Sequence, residues 1–179
     1  EFVVSPAKST AKGSFAGYAG QTHSQIQTLN EINVEDLPRF SSGLKELDRV
    51  LGGGIVPGSA ILIGGSPGAG KSTLLLQVMC QQASSKSALY VTGEESLQQV
   101  AMRARRLGLP DDKLMMLAET NVEMICDLAL KQKPQIMVID SIQVMHVSDV
   151  QSAPGSVSQV RESAAYLTRF AKQHHIACT

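Results

Sequence analysis

Ten residues, Gly64-Gly65-Ser66-Pro67-Gly68-Ala69-Gly70-Lys71-Ser72-Thr73, constrain the fold of this 179-residue chain more than any other stretch. They lie between an apolar run, "SAILI" at 59–63, and a leucine-rich run, "LLLQVMCQQA" at 74–83. A short apolar run bounded by turn residues predicts a buried strand, over "SAILIGG" at 59–65. The run "KSTLLLQVMCQQA" predicts a helix with Leu74, Leu75, Val78 and Met79 on its apolar side. The glycines between them let the backbone take conformations closed to other residues. A strand, a glycine loop and a helix in that order imply a helix crossing back over a parallel sheet.

The alternation continues along the chain. Strands are predicted in "ALYVTG" (88–93), "KLMMLA" (113–118) and "QIMVID" (135–140), with a further strand beginning at "IACT" (176–179). Helices are predicted in "SLQQVAMRARRLG", "NVEMICDLALKQ" and 157–174. Upstream, Ser41 or Ser42 is placed to cap a short helix with Leu44, Leu47 and Leu51 on one face. Gly52 to Gly54 end that helix, and Pro57-Gly58 makes a turn. Strands alternating with helices give a parallel α/β architecture with right-handed crossovers.

Bulk properties narrow the class. No apolar stretch reaches the roughly 18–20 residues that span a bilayer, and the first twenty residues lack the pattern of a signal peptide. The expectation is a soluble, cytoplasmic domain with no membrane partner. Sixteen basic side chains balance sixteen acidic ones. Contact with nucleic acid would therefore have to come from a local patch, a loop or an assembled ring. Cys80, Cys126 and Cys178 are far apart, with no C-x-x-C pair, so they read as buried reduced thiols rather than zinc ligands. Residues 1–36 read as a linker or disordered lead-in, with Glu1-Phe2 matching what an EcoRI site encodes in frame; residues 37–179 form the core.

The chemistry-bearing residues cluster by position. Gly65-Ser66-Pro67-Gly68-Ala69-Gly70-Lys71-Ser72 fits G-x-x-x-x-G-K-[ST], with Thr73 next in the helix. Such a loop turns successive backbone N–H groups inward at phosphate oxygens, reinforced by the helix N-terminus. Lys71 is placed to reach the β- and γ-phosphates of ATP, and the Ser72 hydroxyl to bind Mg²⁺. Asp140, closing "IMVID", is the candidate carboxylate that holds Mg²⁺ through water. Glu94 and Glu95 follow the strand "LYVTG"; either could polarise the attacking water, and either could simply favour a helix start. Glu94 is the favoured catalytic carboxylate, and Lys71, at the phosphates, is the second catalytic candidate. Arg103, Arg105 and Arg106 form a basic cluster that suits a solvated helix face, with nucleotide, neighbouring-subunit or DNA contact as alternatives. His146, His174 and His175 have no metal-ligand spacing and read as surface residues.

Four stretches together resemble one family: "LPRFSSGLKELDRVLGGGIVPGSAILIGGSPGAGKSTLLLQ", "LYVTGEESLQQVAMRARRLGL", "MVIDSIQVMH" and "QSAPGSVSQVRESAAYLTRFAK". They are similar to the RadA (Sms) family of bacterial DNA-repair ATPases, within the RecA-like superfamily, from about residue 37 to the end. The resemblance implies a RecA-like P-loop core: a mostly parallel sheet flanked by helices, here truncated before the sheet is complete. It also implies ATP hydrolysis with Mg²⁺, coupled to single-stranded DNA, recombination intermediates and branch migration, in a homo-oligomeric and hexameric ring with a recombinase partner. By the same resemblance Glu94 takes the catalytic position and residues 145–159 the first DNA-facing loop, which is polar, flexible and without Lys or Arg.

Departures from the family are equally specific. Its four-cysteine zinc motif, its second DNA loop, its K-N-R-F-G motif and its Lon-protease-like domain do not occur in these 179 residues. In this family's ATPase class the strand after Asp140 lies between the strands bearing the phosphate loop and Asp140, and "IACT" is its start. Nucleotide binding is thus a firmer expectation for this chain than turnover. Two rivals stay open: a KaiC-like regulatory or assembly ATPase with protein clients, and a small-molecule kinase. No L-S-G-G-Q-like stretch and no N-K-x-D are present, which argues against transporter-type ATPases and GTPases.

Overall fold

The structure is a computed structural model, and it describes residues 28–31, 38–110 and 112–179. The expected lead-in falls mostly on 1–27 and 32–37, outside the described residues. The elements run α1 (Lys45–Val50), α2 (Lys71–Ala83), β1 (Ala88–Thr92), α3 (Leu97–Arg106), β2 (Met115–Ala118), α4 (Val122–Gln132), β3 (Ile136–Asp140), α5 (Val157–His174) and β4 (Ala177–Cys178). All four strands are parallel, in the order β2-β1-β3-β4. The expected parallel α/β core is present.

Strand parity divides the core in two. Leu89, Val91, Met137 and Ile139 point to one face and pack with α4 and α5 through Ile125, Ala129, Leu167 and Phe170. Ala88, Tyr90, Ile136 and Val138 point to the other and pack with α2 and α3 through Leu76, Met79, Val100 and Ala104. Burial on both faces explains why these strands read as continuous apolar runs instead of alternating ones. The same parity puts Asp140 on the α2 face, and the register sets Thr92 beside it. The ends of β1 and β3 are therefore level.

Helix boundaries follow local chemistry. Ser96 caps α3 in a capping box with Gln99, Asn121 caps α4 and Ser156 caps α5, each side chain accepting a backbone N–H three residues on. Lys133 and His175 close α4 and α5 in the left-handed conformation.

Three sequence expectations differ from the structure. The strand expected over 59–65 contracts to a single parallel bridge, Ala60 to Cys178, with Cys178 N–H donating to the Ser59 carbonyl and Ile61 N–H to the Cys178 carbonyl. Ala60 meets β4 (Ala177–Cys178), the element that lies between it and β3. On α2 the buried side includes Leu76, 1% exposed, whereas Leu74 is only half-buried. The phase of the leucine triplet is set by how α2 lies on the sheet, which periodicity leaves one residue uncertain. Finally, α1 starts after Leu44 with no side-chain cap, not at Ser41 or Ser42. Those serines instead hold Asp48: Ser41 Oγ donates to Oδ2 at 2.5 Å and Ser42 N–H to Oδ1 at 2.7 Å.

Cys80, Cys126 and Cys178 are buried thiols, as expected. Burial pushes the Cys126 and Cys178 thiols up to about 12. No helix among the described residues is long and apolar enough to cross a membrane.

The chain upstream of the phosphate loop is anchored by an antiparallel bridge between Phe40 and Ile55, closed by both backbone hydrogen bonds. Gly54 makes it possible: its φ is +130°, and a Cβ there would sit 2.6 Å from the Phe40 carbonyl oxygen. Gly54→Ala is expected to lower unfolding free energy by about 2–3 kcal/mol, measured by urea denaturation, through strain and loss of this bridge.

Candidate nucleotide site

The site forms where the loop before α2 meets the carboxyl ends of β1 and β3, the position at which open α/β sheets bind ligands. Gly68 and Gly70 have φ of +77° and +87°, and a Cβ at either would meet nothing within 4 Å. Gly70 is the N-cap of α2, and no side chain caps that helix. The first-turn N–H groups of α2 are left to an anion, which the helix dipole also favours. Lys71 Nζ donates to the carbonyls of Gly65 at 2.8 Å and Ser66 at 3.0 Å, curling over the loop it belongs to.

Ser72, in the first turn of α2, donates its hydroxyl to Asp140 Oδ1 at 3.0 Å. The second oxygen, Oδ2, accepts the phenol of Tyr90 at 2.5 Å. Asp140 is thus held from two elements, α2 and β1. Burial, followed by the bond to Asp140, pushes the Tyr90 phenol far above its ordinary range, so it stays protonated and acts as a donor. Ser72 Oγ and a carboxylate oxygen are hard-oxygen donors of the kind that suit Mg²⁺. Ser72 and Asp140 fit that ion, and the loop 65–73 fits a polyphosphate.

The turn after β1 separates the two glutamates. Thr92 Oγ1 donates to the Glu95 carbonyl at 2.9 Å and accepts from Glu95 N–H at 3.1 Å, closing a tight turn. Glu95 then faces α3, where Arg103 grips its carboxylate with Nη1 and Nη2, each at 3.0 Å. Glu94 faces the sheet end and accepts a hydrogen bond from the Ser141 hydroxyl, next to Asp140. The Asp140–Ser141 peptide bond is cis.

Most of the predicted residues come together here: the loop 65–73, Asp140 and Glu94. Arg103 departs from the solvated-face reading, because its side chain is 16% exposed and paired. His174 and His175 are exposed, as expected, and His146 is half-buried. The loop 145–156 is less free than its composition suggests. Gln159, 2% exposed, accepts from Val147 N–H at 3.0 Å and donates to the carbonyls of Val150 and Ser152, both at 2.9 Å. Tyr90, Thr92 and Ser141 were not evident from sequence reasoning. The one available signal for Tyr90 was a polar-tipped side chain inside an apolar strand, 50 residues before the carboxylate it reaches.

A phosphate loop leading into α2, a parallel sheet and a carboxylate at the end of β3, with β4 between that strand and Ala60, have the arrangement of a partial RecA-like P-loop core. Residues 40–125 match the ATPase family described as KaiC. Over 172 residues the chain is 70% identical to the DNA repair protein RadA of Haemophilus influenzae, covering 94% of this chain and 38% of that protein. It is 68% identical to the RadA of Escherichia coli over 90% of this chain and 35% of the relative. With the RadA of Bacillus subtilis the identity is 46%, over 96% of this chain and 38% of the relative. The resemblance to the RadA family therefore holds along nearly the whole chain, which spans just over a third of those relatives' length.

Because Arg103 pairs with Glu95 in a setting where both are mostly covered, removing it strands a partly buried carboxylate. Arg103→Ala is expected to lower unfolding free energy in urea by about 1–3 kcal/mol.

Proposed function

We propose that this chain binds ATP with Mg²⁺ on residues 65–73 and supplies the hydrolytic centre of a cytoplasmic DNA-repair motor. In the whole protein, hydrolysis would be coupled to single-stranded DNA binding and branch migration, within a homo-oligomeric, hexameric ring that works with a recombinase. The observation that carries the reading is the convergence of Ser72, Asp140 and Glu94 at one sheet end beside the phosphate loop.

In this reading the N–H groups of residues 68–73 and Lys71 hold the phosphates. Lys71 exchanges its two loop carbonyls for β- and γ-phosphate oxygens, trading neutral acceptors for charged ones. Ser72 and Asp140 would hold Mg²⁺, which when bound neutralises charge on the β- and γ-phosphates. Glu94, aimed at the same end of the sheet, orients the attacking water and accepts its proton. Glu95 is committed to Arg103 and serves the fold. The loop 145–156, without Lys or Arg, would meet DNA through backbone and hydroxyl groups. The name of the relatives, DNA repair protein RadA, supports the DNA-repair setting.

The match to the KaiC ATPase description favours one alternative, a regulatory ATPase with protein clients. ATPase assays on the full-length protein with and without single-stranded DNA separate the two. Stimulation by DNA, falling with added salt, is the expected result; no stimulation and no salt-dependent DNA binding would favour the regulatory module.

Two substitutions test the site. Lys71→Ala is expected to weaken ATP binding about 100-fold in equilibrium titrations, from loss of two charge-assisted hydrogen bonds. Glu94→Gln is expected to preserve ATP binding while lowering kcat by about 10²–10⁴-fold. Normal turnover in Glu94→Gln with loss in Glu95→Gln would move the role to the neighbouring residue.

A further inference from the structure

Tyr90 has a role that the phosphate loop and the two acidic residues do not account for. It sits mid-strand in β1 with 0% of its surface exposed, flanked by Leu89 and Val91. A buried phenol needs an acceptor, and Tyr90 finds it in Asp140. Tyr90 lies level with Val138 on β3, one step of the same parity short of Asp140. Its long side chain spans that step and reaches Oδ2. Glu95, the other carboxylate whose charge Tyr90 senses, is closed off by its two-pronged pair with Arg103.

A carboxylate at a strand end can rotate, offering either oxygen or both to a cation. Here the two oxygens are separated by partner: Oδ2 belongs to β1 through Tyr90, and Oδ1 to α2 through Ser72. A phenylalanine at position 90 would fill nearly the same volume and leave Oδ2 to turn. Partners of this kind fix the orientation of metal-binding groups and are worth about 10–100-fold in metal affinity when removed.

We propose that Tyr90 is the positioning residue of Asp140, anchoring Oδ2 so that Oδ1, beside the Ser72 hydroxyl, is the one carboxylate oxygen presented to a divalent cation. This rests on the Mg²⁺–nucleotide reading above. Tyr90 touches neither nucleotide nor metal; it acts through Asp140.

The test uses the full-length protein and a fluorescent ADP analogue, titrated with free Mg²⁺. In Tyr90→Phe the Mg²⁺ midpoint for nucleotide binding is expected to rise about tenfold, while binding in excess EDTA stays at the wild-type level. In an Asp140→Asn background the same change is expected to shift the midpoint by less than about twofold, since the carboxylate it acts through is gone. An unchanged midpoint in Tyr90→Phe, or a full tenfold shift in the Asp140→Asn background, would overturn the proposal. Should Tyr90→Phe fail to fold, ¹³C-tyrosine spectra of the wild type decide. One Cζ resonance should move on adding Mg²⁺ in the presence of ADP and stay fixed in Asp140→Asn; no moving resonance overturns the role. Nucleotide binding by the wild type that ignores Mg²⁺ overturns the Mg²⁺ reading and this inference with it. Mg²⁺-dependent wild-type binding with an unaltered Tyr90→Phe overturns this inference alone.

Discussion

The Asp140 carboxylate is the junction on which the site depends, because it joins three separately built elements at one atom group. β3 delivers it, α2 meets it through Ser72, and β1 meets it through Tyr90. None of these contacts is local in sequence. Each requires that β1 and β3 run parallel in one register and that α2 begin above their shared end. A slip of one residue would send Asp140 to the opposite face, toward α4 and α5, away from the phosphate loop. The apolar packing of the α2 face thus has a chemical consequence: it holds the register that lets one carboxylate see both a hydroxyl and a phenol.

Adjacent glutamates show how a turn can divide two like residues between separate tasks. Thr92 closes the backbone on Glu95 and directs that side chain to Arg103 on α3. Glu94, one residue earlier, is left at the sheet end against Ser141. The capping box at Ser96 and Gln99 then starts α3 in a fixed direction, which places Arg103 over Glu95. A helix cap and a threonine turn therefore decide which carboxylate can face a phosphate.

Much of this was legible in the residues. The strand and helix order, the phosphate loop and the place of Asp140 at a strand end follow from apolar runs punctuated by Gly, Ser and Asn, which are local signals. The single bridge at Ala60 was legible too, since "IACT" reads as only the start of the strand between Ala60 and β3, and Ala60 pairs with it at Cys178. The burial of Leu76 in place of Leu74 turns on the rotation of α2 against the sheet, a tertiary quantity. The Ser41 and Ser42 hydroxyls accept from the Gly43 and Leu44 N–H groups, so the acceptor role that their type suggests is taken up by the turn ahead of α1, and Asp48 accepts from the Ser41 hydroxyl and the Ser42 N–H. Tyr90 was missed for a related reason. In a buried strand a tyrosine reads as core, and only the register reveals what its hydroxyl reaches.

Gln159 gives the region beyond the site a mechanical character. Its single amide grips the loop at Val147, Val150 and Ser152 while its backbone belongs to the first turn of α5. The loop and the helix start are consequently one body, with no hinge at their junction. A tilt or slide of α5, whose far side is packed against the sheet through Leu167 and Phe170, is delivered to the loop as displacement instead of being absorbed by it.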